Sequence, residues 1–299
     1  MAEVTTLPLV TVAIPTRNRP ALLQRALNCV HRQDYRNIEL LIADNCSEGN
    51  EVARVIESFR AKMPDIKYVR HTTDIGGIKN FFSLLDRANG KYFMWLADDD
   101  EISPNYVSAL TQLLESNPDA ASAAGHWVLM LSEDVSKCMQ TTSLPQRSSI
   151  VRAARFIWNA DDAFFYGLHR TTLLRKATFG GYWWPNRNEV SNWAYVFLLD
   201  IVLSGRILLS HDRSVRFINH NYTAKTYSIH RSGLKALFMY VTRRINVHLL
   251  YLAKIGRALG PVAVAPMVFV SLLSVLRESS LLAASVVCRQ WQRLGQRNR

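Results

Sequence analysis

Short β-rich runs alternate with segments of helical periodicity over the first third of the chain. Four runs predict strands: Leu9–Ile14, Ile38–Ala43, Lys67–Arg70 and Tyr92–Leu96. Between them, apolar residues recur at the spacing of one helix face after Pro20, from Val52 to Phe59 and from Phe81 to Ala88. Strands that alternate with helices of 10–15 residues predict an α/β fold with a mainly parallel central sheet flanked by helices.

Polar loops follow each of these strands. They are Pro15–Arg19, Asp44–Ser47, Asp74–Asn80 and Asp98–Glu101. In an open α/β sheet, ligands bind beyond the carboxyl ends of the strands. All four loops are therefore expected on one rim of the sheet, where they would form a common binding site.

Three consecutive carboxylates, Asp98, Asp99 and Asp100, follow the most apolar of the four strands. Adjacent carboxylates repel one another, and their desolvation is costly unless a cation compensates the charge. Mg²⁺ or Mn²⁺ supplies that compensation through oxygen ligands and commonly shares its shell with substrate phosphates. The alternative is a solvated acidic turn ahead of a helix that begins near Pro104.

The second half is less regular. The pattern predicts a helix from Val107 to Leu114, strands over Ala120–Leu131, Ala163–Leu168, Ile207–Leu209 and Val215–His220, short helices over Arg170–Lys176 and Trp193–Leu203, and an aromatic loop at Gly180–Pro185. The polar stretch Ser132–Arg147 is a candidate mobile loop over a site.

Charge is concentrated at the end of the chain. The 299 residues carry a formal net charge of +12, and residues 231–299 hold eleven Lys or Arg against a single acid, Glu278. The four cysteines form no CxxC pair, which predicts reduced thiols, and Met1–Pro8 lacks the regions of a signal peptide. These features predict a cytoplasmic protein.

The basic tail is also strongly apolar. Leu237–Leu252 fits an amphipathic helix, and Pro261–Leu276 contains no charge but is shorter than a membrane span and includes Pro266. We expect helices that lie on an anionic membrane surface, with the protein peripheral on the cytoplasmic face. A true or re-entrant span, a helical cap and a homo-oligomer interface are the alternatives. A nucleic-acid site is disfavoured because long aliphatic runs separate the basic residues.

Four segments in order resemble the nucleotide-sugar glycosyltransferases of family 2, which have the GT-A fold. They are Ile14–Pro20 (IPTRNRP), Ile42–Ser47 (IADNCS), Asp74–Asn80 (DIGGIKN) and Phe93–Pro104, which contains the carboxylates. The resemblance implies a GT-A domain over 1–230, with a nucleotide-sugar-binding half at 9–110 and an acceptor half at 111–230, followed by a tail at 231–299.

The resemblance also implies the members of the donor site. They are Pro15, Thr16, Arg19, Asp44, Asn45, Gly77, Lys79, Asp98 and Asp99. Asp44 would accept hydrogen bonds from the uracil or ribose, or would instead cap a helix. Arg19 and Lys79 would face the phosphates, or would be solvated loop charges. Asp98 and Asp100 would hold the metal and ribose.

The acceptor half departs from the family pattern. Phe165–Arg170 resembles an acceptor-side strand, and a later segment similar to the family's Asp-Trp motif has Asn192 where an aspartate normally serves as the base. Because an amide cannot accept that proton, Glu189 is the first candidate for a substitute base, and Asp161 and Asp162 are further candidates. Glu189 would otherwise be a surface carboxylate at a helix N-terminus. His220 stands where related enzymes place a histidine near the metal or diphosphate, and His230 competes for that role.

These features predict metal-dependent, inverting sugar transfer from a UDP- or dTDP-linked donor to a hydroxyl of a saccharide or lipid-linked acceptor. The alternative is a catalytically silent nucleotide-sugar-binding scaffold that lacks its base. A nucleotidyltransferase is disfavoured because the loop after the first strand is not rich in glycine and lysine.

Overall fold

The computed structural model describes residues 7–63, 65–132, 135–139, 141–159, 161–178, 193–220 and 234–297, except for the side chains of 234–237, 239 and 281–297. The chain forms two compact units. Unit 1 comprises Met1–Pro145, Ala163–Ala177 and Ser204–Thr223, and unit 2 comprises Gln146–Asp162, Thr178–Leu203 and Ala224–Arg299.

Helices and strands alternate through the first half of unit 1. In chain order the elements of the whole protein are β1 Val10–Thr16, α1 Pro20–His31, β2 Ile38–Asp44, α2 Glu51–Arg60, β3 Lys67–Arg70, α3 Gly77–Arg87, β4 Tyr92–Trp95, β5 Asp100–Ile102, α4 Tyr106–Glu115, β6 Ala120–Ala124, β7 His126–Met130, β8 Ser136–Cys138, α5 Ser149–Asn159, a 3₁₀ helix Ala163–Tyr166, β9 Leu168–Arg170, α6 Thr171–Leu174, α7 Trp193–Ser204, β10 Arg206–Leu209, β11 Arg216–Asn219, α8 Leu234–Leu259, a 3₁₀ helix Pro261–Ala263 and α9 Val264–Arg297.

The main sheet of unit 1 has seven strands in the order β10-β6-β9-β4-β1-β2-β3. β1 lies at its centre, is buried along its whole length and pairs in parallel with both β2 and β4. β9 is antiparallel to its two neighbours, so the sheet is mainly parallel. The predicted fold class is confirmed. The carboxyl ends of β1, β2 and β4 share one rim, as their parallel pairing requires.

A second sheet of four strands, in the order β5-β11-β7-β8, adjoins the acidic segment. Asp100 is the first residue of β5 and pairs with Asn219 of β11. The acidic segment was predicted as a loop, yet its third carboxylate belongs to a strand. A three-residue strand held by its pairing partner carries no periodicity of its own from which it could be recognised.

Gly125 divides the single strand that was predicted over Ala120–Leu131. A Cβ at this position would lie 2.5 Å from the Tyr106 ring and 2.6 Å from the Val215 carbonyl oxygen, so only glycine fits where the chain turns from one sheet into the other. The prediction of one strand is therefore wrong, and β6 and β7 belong to different sheets.

Two other boundaries differ from prediction. Pro15 lies inside β1 rather than ending it, because the pairing of β1 with β4 stops at Ala13 and the missing N–H of proline breaks no ladder bond on that side. Ala163–Tyr166 is a 3₁₀ helix, and only Leu168–Arg170 forms a strand. In the polar stretch after Leu131, β8 forms a strand and the buried Leu144 bridges to Ile207.

Unit 2 is helical in its described part. Arg152 of α5 is 4% exposed and donates to four backbone oxygens, those of Val202, Leu203, Gln146 and Arg147. These bonds join α5 to the end of α7, where the carbonyls of Val202 and Leu203 lie in the last turn, and to the segment just before α5, which contains Gln146 and Arg147.

α8 and α9 pack together along the tail. Pro266 does not interrupt α9, because it lies in the first turn, where a helix tolerates proline. Within the described residues, one stretch, Pro261–Ser280, is long and apolar enough to cross a membrane by length and composition alone.

Candidate functional site

Thr16 and Asp98 join the ends of two neighbouring strands. The Thr16 hydroxyl donates to Asp98 Oδ2 over 2.7 Å. Asp98 is 4% exposed, and burial raises the pKa of its carboxyl group, while Thr16 and Arg19 oppose that rise. Because Asp98 is buried, its ionised form needs a nearby cation or hydrogen-bond donor to stabilise it.

Arg19 is that cation. Its Nη1 lies 3.1 Å from Asp98 Oδ1 and 3.2 Å from Asp99 Oδ2. The charge of Asp98 is the main cause that raises the pKa of Arg19. Asn18, just before it, has a positive φ of 54° and fixes the turn through bonds with Ser47 Oγ and the Glu48 N–H. The loop therefore aims one cation at two carboxylates.

Asp100 has different partners. Its Oδ1 accepts from the Asn219 side chain at 2.9 Å and from the His220 N–H at 3.3 Å. Burial, and then the charge of Asp99, raise the pKa of Asp100 to about 8. His220 Nε2 lies 3.0 Å from Glu101 Oε1, and burial followed by the charge of Arg25 lowers the pKa of His220. Asp100 and His220 are thus neighbours, and their roles as metal ligands stay predictions.

Asp44 is almost fully enclosed at the end of β2. It is 1% exposed, and its oxygens accept from the Ser47 N–H and the Tyr68 hydroxyl, each at 2.9 Å. It does not cap α2, which begins at Glu51. These bonds show that Asp44 orders the loop that follows β2.

Asn45, the next residue, links this loop to the one that follows β3. Its amide donates to Asp74 Oδ1 at 2.7 Å and accepts from the Ile75 N–H at 2.9 Å. Asp74 also pairs with Arg17 and accepts from the Gly76 N–H. Gly76 is the residue just before α3. Its φ of 83° lies in the region that favours glycine.

Asn80, in the first turn of α3, ends the predicted loop Asp74–Asn80, but the sequence assigned it no role as a ligand of the donor site. Its Nδ2 donates to the Ala43 carbonyl at 3.0 Å, which fixes the orientation of the amide. Asn80 is 2% exposed, and its Oδ1 has no hydrogen-bond partner among the described residues. Lys79 beside it is exposed. A buried acceptor without a donor is costly, and a ligand hydroxyl or N–H would satisfy it.

These side chains surround a cleft of about 460 Å³. It is lined by Pro15, Thr16, Arg17, Arg19, Asn45, Gly77, Asn80, Phe81, Ala97, Asp98, Asp99 and Tyr166. Asp44, Lys79 and Asp100 are absent from this lining. Phe81 and Tyr166 add aromatic walls, and Tyr166 is itself stacked on Phe217 with ring centroids 4.7 Å apart. Neither aromatic residue could be assigned to the cleft from its spacing, because both lie in otherwise apolar runs.

Two carboxylates of the cleft suit a hard divalent cation. Asp98 and Asp99 both face Arg19, so a positive charge already occupies the space between them. Within the residues that the structure describes, no three side chains of the metal-binding types converge. Mg²⁺ is commonly held by one or two carboxylates together with waters and substrate phosphates. Asp98 and Asp99 therefore fit such an ion if a diphosphate completes its shell.

Sequence comparison identifies the family. The model described as "Glycosyl transferase family 2" matches residues 11–175, which is more than half of the chain. The chain belongs to glycosyl transferase family 2. The match covers both the strands that build the cleft and β9 with the 3₁₀ helix that carries Tyr166.

One curated relative of this family 2 protein is the GalNAc(5)-diNAcBac-PP-undecaprenol beta-1,3-glucosyltransferase of Campylobacter jejuni. The two are 25% identical over 194 residues, which are 64% of this chain and 60% of the relative. The chain matches less than two thirds of the length of the curated relatives compared with it.

Solved structures support the same fold. TarS 1–349 of S. aureus in complex with UDP has a TM-score of 0.61 at 18% identity, over 84% of this chain and 66% of that chain. The mannosyltransferase PcManGT of Pyrobaculum calidifontis, in complex with GDP-Man and Mn²⁺, has a TM-score of 0.56 at 14% identity, over 98% and 81%. At such identities the likeness concerns the fold of this family 2 chain.

Only some of the positions predicted for the base of this family 2 protein belong to the described residues. Glu189 and Asn192 lie outside the described residues, as does His230. Asp162, in unit 2, is a further candidate: burial, and then the charge of Asp161, raise the pKa of Asp162 to about 6. A carboxyl group with such a pKa can exchange a proton near neutral pH.

Proposed function

We propose that this chain transfers a sugar from a nucleoside diphosphate sugar to an acceptor hydroxyl. The observation that supports this function best is the junction of Thr16, Arg19, Asp98 and Asp99 at the carboxyl ends of β1 and β4, beside a cleft of about 460 Å³. A cation held against two carboxylates at the rim of a parallel sheet is a suitable place for a diphosphate and its counter-ion.

Each lining residue has a role suited to its chemistry. Arg19 has five N–H donors and can turn from the carboxylates to the oxygens of a diphosphate. Thr16 keeps Asp98 in position. Asn80 and Asn45 offer amide groups to the hydroxyls or N–H groups of the nucleoside. A Mg²⁺ or Mn²⁺ ion held by Asp98 and Asp99 would compensate the negative charge of the leaving diphosphate.

The donor is proposed to be linked to UDP or dTDP. Support comes from the fold shared with a protein whose structure was solved with UDP and with UDP-GlcNAc. Another structural neighbour was solved with GDP-Man and Mn²⁺. A GDP-linked donor is therefore the alternative, and an experiment has to distinguish it from a UDP- or dTDP-linked donor.

The acceptor is proposed to be a saccharide carried on a lipid diphosphate, at the cytoplasmic face of the membrane. The name of the Campylobacter relative contains such a lipid-linked glycan. Residues 231–299 bring eleven basic residues against one acid, together with long apolar runs, and would attach the protein peripherally to an anionic leaflet.

Inverting transfer requires a base that takes the proton of the acceptor hydroxyl. Glu189 and Asp162 are the proposed candidates, and Asn192 is the observation that favours the rival function, a scaffold that binds the nucleotide-sugar without transfer. Asn192→Asp and Glu189→Gln test this directly. Gain of transfer in the first supports a missing base, and loss in the second identifies Glu189 as that base.

The function is tested with a panel of UDP-, dTDP- and GDP-sugars. Binding is followed by calorimetry, and donor hydrolysis and transfer are followed by nucleotide release, with Mg²⁺, Mn²⁺ or EDTA. We expect hydrolysis that needs the metal and falls at least 100-fold in Asp98→Asn, while Glu57→Gln on the exposed side of α2 changes nothing. Binding without hydrolysis or transfer for every donor would support the scaffold, and no binding would overturn both functions.

A further inference from the structure

One face of α9 is apolar and exposed. Phe269 is 63% exposed, Leu272 56% and Leu276 57%, and Val262 just ahead of the helix is 87% exposed. Phe269, Leu272 and Leu276 are separated by three, four or seven residues, so they lie on a single side of α9, and Val262 belongs to the 3₁₀ helix that precedes it. Exposed apolar strips of this kind mark places where a protein meets an apolar partner.

The opposite face of α9 is used inside unit 2. Met267, Ser271 and Ser274 are buried, again at helical spacing. α9 packs against both α8 and α5 along this side. α9 therefore has a buried side, which includes two serines, and an exposed side that is apolar.

α8 carries a second exposed strip. Phe238, Ile245 and Leu249 are 55%, 44% and 54% exposed, at positions seven and four residues apart. Two buried basic residues of α8 form ion pairs inside unit 2. Arg244 pairs with Glu278, and Lys254 pairs with Asp200. Arg243 and Arg257 add positive charge on the same helix. Residues 231–299 thus combine the exposed apolar strips of α8 and α9 with a net charge of +10.

We propose that α9 lies in the plane of an anionic lipid leaflet and does not cross the bilayer. The side that carries Phe269, Leu272 and Leu276 would insert among the acyl chains, together with Val262 of the preceding 3₁₀ helix. This deepens the membrane attachment proposed above and rests on it, but it does not depend on the identity of the donor or the acceptor. Interfacial helices bind through buried apolar area together with attraction between basic residues and anionic headgroups.

The contacts of α9 with α5 argue against a crossing. The Ser274 hydroxyl donates to the Ile157 carbonyl at 3.0 Å, and Arg277 donates to the Trp158 carbonyl and lies 4.4 Å above its ring. Glu278 is paired with Arg244 of α8. Each bond joins the middle or end of the apolar stretch to a polar group of a neighbouring helix.

Because of these bonds, the end of α5 would have to move into the membrane together with α9. Ser274 lies only about 5 Å along the axis from the middle of Pro261–Ser280. A crossing helix would therefore carry the end of α5 into the hydrocarbon, with Asp161 and Asp162 just beyond it. Backbone ends and carboxylates are not tolerated there unless protein surrounds them. An in-plane helix leaves them on the aqueous side.

The first experiment measures attachment. The full chain is sedimented with phosphatidylcholine vesicles that contain or lack phosphatidylglycerol. We expect binding that requires the anionic lipid, falls at least tenfold in the triple variant Phe269→Ser, Leu272→Ser, Leu276→Ser, and stays within twofold in Val151→Ser, an exposed apolar position on α5. Failure of the wild type to bind overturns the attachment, and equal binding of the triple variant overturns the inserting face.

The second experiment measures orientation. Nitroxide labels are placed on Val262→Cys, Phe269→Cys and Leu276→Cys, with Cys46, Cys138 and Cys288 replaced by serine, and their depths are read by power saturation. An in-plane helix gives three similar depths, whereas a crossing helix staggers the outer two by about 20 Å. Staggered depths overturn the in-plane mode and leave the attachment intact. Light scattering without lipid tests whether a second copy of the chain covers this face instead. A dimer that the triple variant abolishes would assign the face to that second copy and overturn its insertion in lipid.

Discussion

Arg19 Nη1 donates to Asp98 Oδ1 over 3.1 Å, which brings the loop after β1 onto the carboxylate that follows β4. The pair compensates part of the negative charge at the rim of the cleft. A side chain that neutralises two carboxylates can release them only when another cation takes its place. Binding of a diphosphate with its metal is therefore expected to be an exchange, in which Arg19 moves from carboxylate to phosphate oxygens.

Replacement of Arg19 tests that exchange. In Arg19→Ala we expect the dissociation constant of the nucleoside diphosphate to rise at least tenfold, because a charge-assisted donor to phosphate is lost. Arg19→Lys should recover only part of that affinity, since an ammonium group lacks the fork that contacts two oxygens. Calorimetric titration measures both, with Arg54→Ala on the exposed side of α2 as the control. An unchanged dissociation constant in Arg19→Ala would remove Arg19 from the donor site.

Asn80 is expected to contribute to both folding and donor binding. Asn80→Ala loses the bond to the Ala43 carbonyl and should lower the free energy of unfolding by about 1–2 kcal/mol. It also removes a buried, unpartnered acceptor from a residue that lines the cleft, so the nucleotide should bind several-fold more weakly. Ser83→Ala is the matched control, because its hydroxyl bonds the Asn80 carbonyl on the same helix but does not line the cleft. A loss of stability with unchanged nucleotide affinity would leave Asn80 a purely structural residue.

The rim of the sheet could be predicted because it follows from strand order alone. Parallel strands place the loops after β1, β2 and β4 together, so Thr16, Arg19, Asn45 and Asp98 were assigned to one site without knowledge of their contacts. Their roles as donor ligands stay predictions. The distribution of bonds among the three carboxylates could not be predicted, because it depends on β11, more than a hundred residues later in the chain.

The second half was less predictable for two physical reasons. Gly125 breaks a run that reads as one strand, and the break is visible only when the Tyr106 ring is placed against it. The sequence places Asn80 at the end of a site loop but gives it no role, because a polar residue in the first turn of a helix is ordinary. Its significance lies in a buried oxygen without a donor, which sequence does not display.

Glu39 is expected to make stability dependent on acid. It is 6% exposed, and although burial raises its pKa, bonds from the Asn89 N–H, Lys67, Thr11 and the Asn89 amide lower the pKa of Glu39 to about 2. Its stabilising contribution is therefore complete above the unfolded-state pKa of about 4.3 and is lost as the pH falls toward 2.

Glu39→Gln gives the measurement. At pH 7 the variant should unfold about 2 kcal/mol more easily, with allowance for solvent screening at the half-exposed Lys67. Denaturant unfolding at pH 7, 4 and 3 should show this difference shrinking with pH, because protonation removes the advantage of the native carboxylate. A difference that stays constant down to pH 3 would show that the carboxylate charge of Glu39 does not stabilise the fold.

Arg152 is expected to be the most sensitive position of unit 2. Its Nε and both terminal nitrogens reach carbonyl oxygens of Val202, Leu203, Gln146 and Arg147 at 2.6–3.1 Å, and an ammonium group cannot satisfy four acceptors in that planar arrangement. Arg152→Lys should therefore cost about 3 kcal/mol, because buried carbonyls lose their donors. Arg155→Lys, at an exposed position on the same helix, should change the free energy of unfolding by less than about 0.5 kcal/mol. Hydrogen exchange at the end of α7 separates this account from a general loss of packing, because protection there should fall first. Equal stability of the two variants would mean that the charge of residue 152, rather than its planar fork, holds these segments together.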